Sequence, residues 1–235
     1  MCDPIKNLCM CIIKAKNLVK TYKQGDFTIN AVADVSLEIA RGEFTAISGP
    51  SGSGKTTLLN ILGGLDAPSS GTVHIDDREI TKLSSNELID YRLNHIGFIF
   101  QSYNLIPVLT AEENVGFVMF LQGKSDSEIS SRASELLSSV GLAKEVKKLP
   151  KQMSGGQQQR VAVARAFASR PQFILADEPT ANLDSTATET LLDIMEKMNR
   201  DEGITFIFST HDQRVINRAR RVISFDDGKI IDDKS

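Results

Sequence analysis

Residues 44–59 read Phe44-Thr45-Ala46-Ile47-Ser48-Gly49-Pro50-Ser51-Gly52-Ser53-Gly54-Lys55-Thr56-Thr57-Leu58-Leu59. The first five are a short apolar run of strand length. Gly49 to Thr56 then fits the pattern G-x-x-x-x-G-K-[ST], and a helix is expected from about Lys55 to Leu62, ended by Gly63-Gly64. A strand entering a glycine-rich loop that opens a helix is a device for holding an anion. Glycines let successive backbone N–H groups turn inward. The helix start adds unpaired donors and the positive end of its dipole. With average residue usage, chance gives this pattern in roughly 1% of chains of this length, before the flanking elements are required. Lys55 is placed to neutralise β- and γ-phosphate oxygens, and Thr56 to offer a hydroxyl to Mg²⁺.

The surroundings agree with an α/β fold, because strand and helix signals alternate along the chain. Upstream, Ile12 to Val19 reads as a strand, and Val35, Leu37 and Ile39 alternate with Ser36 and Glu38 as a half-buried one. Arg41-Gly42-Glu43 is a turn. Gly71 to Ile80 reads as a strand, turn and return near a sheet edge. From about residue 102 to 151 no strand run is evident. Ile129, Ala133, Leu136, Leu137 and Val140 recur at helical spacing there, with Asp126 or Ser127 expected as the cap. Downstream are helices near 155–169 and 185–199 and strands at 173–176 and 205–209. Asp227-Gly228 marks a hairpin between two apolar runs.

Composition narrows the function classes. The 235 residues carry 27 Lys plus Arg and 30 Asp plus Glu, a net charge of −3, which argues against a strongly basic nucleic-acid binder. Trp is absent and aromatics are 6%, so base stacking along a single strand finds little support. No run approaches the ~20 apolar residues of a membrane span. The Leu8–Ile13 run is too short for a secretory core and lacks a cleavage site, so a cytosolic chain is expected. Cys2, Cys9 and Cys11 lack metal-ligand spacing and are expected as reduced thiols; His74 and His95 match no motif.

A second acidic signal lies further on. Phe173-Ile174-Leu175-Ala176 is continuously apolar, as a strand buried on both faces should be, and ends in Asp177-Glu178-Pro179. Ligands of open α/β sheets sit at the carboxyl ends of strands. Asp177 is thus placed to reach Mg²⁺ through water, and Glu178 to orient or deprotonate an attacking water. Alone, Asp-Glu at a strand end is also a common solvated turn; the phosphate loop gives it weight.

Five further motifs complete a family resemblance. Ser154-Gly155-Gly156-Gln157-Gln158-Gln159-Arg160 resembles the signature motif of ATP-binding-cassette (ABC) ATPases. Ala181-Asn182-Leu183-Asp184 resembles the D-loop, Ser209-Thr210-His211-Asp212 the H-loop, and Gln101 after Gly97-Phe98-Ile99-Phe100 the Q-loop. Tyr22 resembles the adenine-stacking aromatic. The resemblance covers residues 12–232 and implies one domain over 1–235. Its parts are a P-loop NTPase core of mainly parallel sheet with helices, an antiparallel β subdomain on the N-terminal side, and a helical signature subdomain at about 102–165.

It also implies roles. ATP would be held by Tyr22, Gly49, Pro50, Ser51, Gly52, Ser53, Gly54, Lys55, Thr56 and Thr57. Ser154, Gly155, Gly156, Gln157 and Asp184 would meet it from a second copy of the chain. Thr56, Gln101 and Asp177 would serve Mg²⁺, and Glu178, His211 and Gln101 the hydrolysis. Two departures stand out: Met153 replaces the usual leading Leu of the signature, and Ala181 stands where the nearest subfamily usually has Gly.

Residues 64–71 and 101–115 are similar to the branch of macrolide-export and lipoprotein-release ATPases. That similarity implies a separate integral membrane subunit, of the four-span type usual in that branch, and a peripheral place on the cytoplasmic face of the membrane. Leu105-Ile106-Pro107-Val108-Leu109 would dock that partner or pack in the core. Other readings are an ATPase whose partner regulates cell-wall hydrolases, and a soluble DNA-repair ATPase. The last is disfavoured because no heptad run separates Thr56 from Ser154.

Overall fold

The structure, a computed structural model, describes residues 11–25 and 27–235. Cys2 and Cys9, and the first half of the early apolar run, lie outside the described residues. In chain order the first elements are β1 (Cys11–Gln24), β2 (Phe27–Ala40), β3 (Phe44–Ser48), α1 (Lys55–Leu62), β4 (Ser70–Ile75), β5 (Arg78–Glu79) and α2 (Ser85–His95). Then come β6 (Ile96–Ile99), α3 (Ala111–Leu121), α4 (Asp126–Ser139), α5 (Gly155–Ala168), β7 (Phe173–Asp177) and α6 (Ser185–Glu202). The chain closes with β8 (Thr205–Thr210), α7 (Gln213–Arg218), β9 (Arg221–Asp226) and β10 (Lys229–Lys234). They fall into two compact units, one running to Ile89 and resuming over Thr205–Ser235, the other Asp90–Ile204.

The first unit contains an antiparallel sheet in the order β2-β1-β4-β5. Its register pairs Ile13 with Ile39, Ala15 with Leu37 and Leu18 with Val35, so the alternating apolar residues of both strands share one buried face. The expected edge strand and return are β4 and β5. Beside this, β3 runs parallel to both β8 and β9. β3 and β8 are apolar without alternation because both faces are covered: Phe44, Ala46, Ile47, Phe206, Ile207 and Phe208 are fully buried. The Phe44 ring meets those of Phe206 and Phe208 at 5.5 and 4.6 Å. Leu58, Leu59, Ile61 and Leu62 bury one side of α1. The Asp227-Gly228 hairpin joins β9 to β10, with both residues at positive φ.

In the second unit β6 and β7 are parallel, with Ile96 beside Phe173 and Ile99 beside Ala176. α3, α4 and α5 pack together. Most of α5 is buried, from Val161 to Ala168 save Arg165, as suits a core helix rather than an amphipathic one. The cap of α4 is Ser125, not Asp126 or Ser127. Its hydroxyl accepts from the Glu128 N–H, and Glu128 accepts from the Ser125 N–H in return. The S-x-x-E spacing allows that reciprocal pair, which neither neighbour offers. Thr110 and Glu113 start α3 the same way. α2 is not foreseen in the sequence, because Tyr91 alone on it is buried and no apolar stripe marks it.

Candidate functional site

The phosphate loop leaves β3 after Ser48 and enters α1 through Gly54, whose φ is 103°. Contacts dictate two of its glycines. A Cβ on Gly54 would stand 2.0 Å from the Ala31 carbonyl oxygen, and one on Gly49 would stand 1.9 Å from the Phe225 carbonyl oxygen. The loop is thus pressed between the backbones of β2 and β9, and only hydrogen fits at either place. The Gly228 N–H donates to the Ser53 carbonyl at 2.9 Å, tying the loop to the β9–β10 turn.

Lys55 is 5% exposed. Its ammonium donates to the carbonyls of Gly49 and Pro50, both at 2.8 Å, and among the described residues no carboxylate pairs with it. A buried cation held only by neutral carbonyls favours an anion as its neighbour. The Ser53 hydroxyl is buried without a hydrogen-bond partner, and no side chain caps the start of α1. The loop therefore has donors to spare, which fits a polyphosphate. Thr56 is exposed and Thr57 half-buried on the first turn.

Tyr22 lies on β1 and is 41% exposed. Its hydroxyl donates to Asp66 at 2.6 Å. His211, just past the end of β8, is exposed. Asp212 caps α7, accepting from the Arg214 N–H at 2.9 Å, so a cap and an exposed histidine share the turn. Tyr22, the phosphate loop and His211 belong to the first unit.

The remaining candidates belong to the second unit and are cross-linked there. Asp177 is the last residue of β7. Glu178 follows in the left-handed region, φ 45°, a conformation that costs an L-residue about 1–2 kcal/mol. Such strain persists only where surrounding contacts over-determine it, and it gathers at functional sites. One such contact is Gln159, fully buried on α5, whose side-chain amide donates to the Pro179 carbonyl at 2.8 Å. The Asn182 amide donates to the Gln101 carbonyl at 3.0 Å. Arg165 donates to the carbonyls of Tyr103 and Asn104, which both have positive φ. The turn after Asp177-Glu178, the stretch after Gln101 and the body of α5 are thus one hydrogen-bonded assembly.

Ser154 caps α5. Its hydroxyl accepts from the Gln157 N–H at 3.3 Å, and the Gln157 side chain accepts from the Ser154 N–H at 2.9 Å. Asp184 caps α6, accepting from the Ala187 N–H at 2.8 Å. Asn114, fully buried on α3, was not a sequence candidate. Its side chain accepts from the Ile106 N–H and donates to the carbonyls of Ile106, Leu109 and Thr110. It pins the 105–110 stretch and leaves Val108 77% exposed. A polar residue on an otherwise apolar helix face is the signal that could have found it.

Comparison with known proteins adds the following. The sequence profile of a family described as "ABC transporter" matches residues 32–181. The chain is 46% identical to "Macrolide export ATP-binding/permease protein MacB" of Mannheimia succiniciproducens, over 95% of this chain and 35% of that protein. It thus spans about a third of the length of that relative. It is 41% identical to "Lipoprotein-releasing system ATP-binding protein LolD" of Idiomarina loihiensis, over 90% of this chain and 92% of that one. Among solved structures, the dimeric post-hydrolysis state of the ATP-binding cassette MJ0796 of Methanocaldococcus jannaschii, bound to ADP and Pi, superposes with a TM-score of 0.90. That match is at 44% identity and covers 95% of this chain and 98% of the other.

Proposed function

The chain belongs to the ABC transporter family, as an ATPase of its macrolide-export and lipoprotein-release branch, and on that premise we propose that it couples ATP-driven, head-to-tail dimerisation to conformational change in a membrane subunit. The observation that carries this reading is Lys55, buried and held by loop carbonyls alone, in a loop that two backbone contacts close against anything larger than glycine. The MJ0796 relative, dimeric with ADP and Pi, supports the dimer.

In this reading Lys55 neutralises the β- and γ-phosphates, the loop N–H groups hold them, and Tyr22 receives the base. Glu178 takes the proton of the attacking water, Gln101 orients that water, and His211 holds the γ-phosphate. Mg²⁺, when bound, supplies charge neutralisation on the phosphate oxygens; Thr56, Gln101 and Asp177 are the residues to hold it. Ser154, Gly155, Gly156 and Gln157 serve the nucleotide of the second copy, with Asp184 linking the two sites. The membrane partner, of four-span type, docks at 105–109, where Val108 offers an exposed apolar side chain on a stretch pinned by Asn114. No helix among the described residues is long and apolar enough to cross a membrane, and the chain works as a peripheral subunit on the cytoplasmic face.

Glu178→Gln keeps the side-chain volume but cannot accept the proton. Its hydrolysis rate should fall at least about 100-fold while ATP binding is kept, and it should accumulate as a dimer in size-exclusion chromatography with ATP. Adding Ser154→Arg places a cation and bulk at the interface and should return the protein to monomer. Hydrolysis by Glu178→Gln at the wild-type rate would remove Glu178 as the base and sink the mechanism.

A further inference from the structure

The Tyr22 ring is held by more groups than a solvent-facing aromatic requires. Its hydroxyl donates to Asp66 at 2.6 Å. The Lys20 ammonium stands 4.9 Å from the centre of the ring and donates to Asp66 at 2.6 Å and to the Ala67 carbonyl at 2.7 Å. The Lys20 side chain is only 13% exposed, so this is not a loose surface pair. Burial pushes the Asp66 carboxyl up, but the hydrogen bonds from Lys20 and Tyr22 outweigh it and hold the group below its usual range. Asp66 is thus an ionised acceptor for both at neutral pH. The phenol is pushed up, by burial first and by Asp66 next, and stays protonated as the donor.

Two consequences follow from these contacts. The cation stands over the ring, where the negative quadrupole of the face attracts it. The hydroxyl is fixed at one end by Asp66, in the loop between α1 and β4.

We propose that Lys20 and Asp66 are positioning residues that hold the Tyr22 ring as a fixed platform for the purine base. The proposal rests on the reading of residues 49–57 as a nucleotide site. It separates two parts of the binding energy: the phosphates depend on the loop, and the base depends on this network. Preorganising the ring removes an ordering cost that would otherwise be charged to base binding.

The test is calorimetric binding of Mg-ATP and of Mg-tripolyphosphate, which lacks the base, to the full chain. Asp66→Asn and Lys20→Met should each weaken ATP about fivefold, the scale of a stacking contact, and leave tripolyphosphate within about twofold. Tyr22→Phe should show the same selective loss, and Tyr22→Phe combined with Asp66→Asn should be no worse than either alone, because both break one network. Equal weakening of both ligands in Asp66→Asn and Lys20→Met would overturn the proposal and make the network a support of the loop. Unchanged ATP affinity in both would also overturn it. Tyr22→Ala and Lys55→Ala separate the premises. If Tyr22→Ala leaves the ratio of the two affinities unchanged, the base does not rest on Tyr22 and the proposal falls, while weakening of both ligands by Lys55→Ala upholds the phosphate site. If Lys55→Ala weakens neither, the nucleotide reading itself fails.

Discussion

Two helices in this chain begin with small residues after a serine, and they begin in opposite ways. α1 opens from Ser53-Gly54, and no side chain caps it; the serine hydroxyl is buried without a partner and a buried lysine follows. α5 opens from Ser154-Gly155-Gly156, and Ser154 and Gln157 cap it reciprocally at an exposed position. The difference lies in what completes each start. Orphan N–H groups of a helix must find acceptors. At α5 the chain supplies them itself, so this start is complete in a single copy; in the proposed function it meets the nucleotide of a second copy. At α1 the chain withholds them and places a cation beside them, so an anion is the natural acceptor. The glycines differ in the same sense. Gly49 and Gly54 of the phosphate loop are fixed by backbone oxygens within 2.0 Å of where a Cβ would be, whereas Gly156 would meet the Ala187 methyl at 3.2 Å and the Leu183 side chain at 4.0 Å.

The comparison would break first at Gly54. Gly54→Ala puts a side chain into the Ala31 carbonyl and into a left-handed φ, and unfolding in urea should show a loss of about 3 kcal/mol. Gly156→Ala, measured alongside, should lie within about 1 kcal/mol of the parent, since helix propensity offsets the contact. Equal losses would mean that the two glycine sets have the same purpose. Next in size, Lys55→Ala removes a charge-assisted phosphate contact of about 1.5–3 kcal/mol, and ATP affinity should fall at least about tenfold by calorimetry. An unchanged affinity in a folded variant would cancel the distinction between the two starts. The smallest effect is at Ser154. Ser154→Ala should cost about 1 kcal/mol of stability through the lost cap and leave ATP affinity of the single chain unchanged. A drop in that affinity would place Ser154 in the chain's own site.

Much of this was legible because it is local. β3 and α1 have the bounds that the run and its flanking glycines predict, and the Asp227-Gly228 turn joins two strands as expected. β1 and β2 are longer than read, each 14 residues; on the added part of β2 the apolar Phe27 and Ile29 are exposed rather than turned into the core. The cap of α4 moved to Ser125, since the signal there was the partner at Glu128 and not the residue nearest the apolar stripe. α2 had no signal to read. The roles of Gln159 and Arg165 were invisible for another reason: each bridges segments far apart in sequence, and a polar residue gives no hint of which carbonyl it will meet.

The sequence by itself determined that an α/β chain carries a phosphate loop, a signature and the motifs between them, because periodicity, turn chemistry and motif spacing are properties of neighbouring residues. Only the tertiary structure decided why Gly49 and Gly54 tolerate no side chain, why Glu178 is held in a left-handed conformation beside a buried amide, and how Tyr22 is joined to Asp66 and Lys20. Those facts depend on backbones and side chains brought together from distant parts of the chain, and the packing that brings them there is set by the whole core rather than by any one motif.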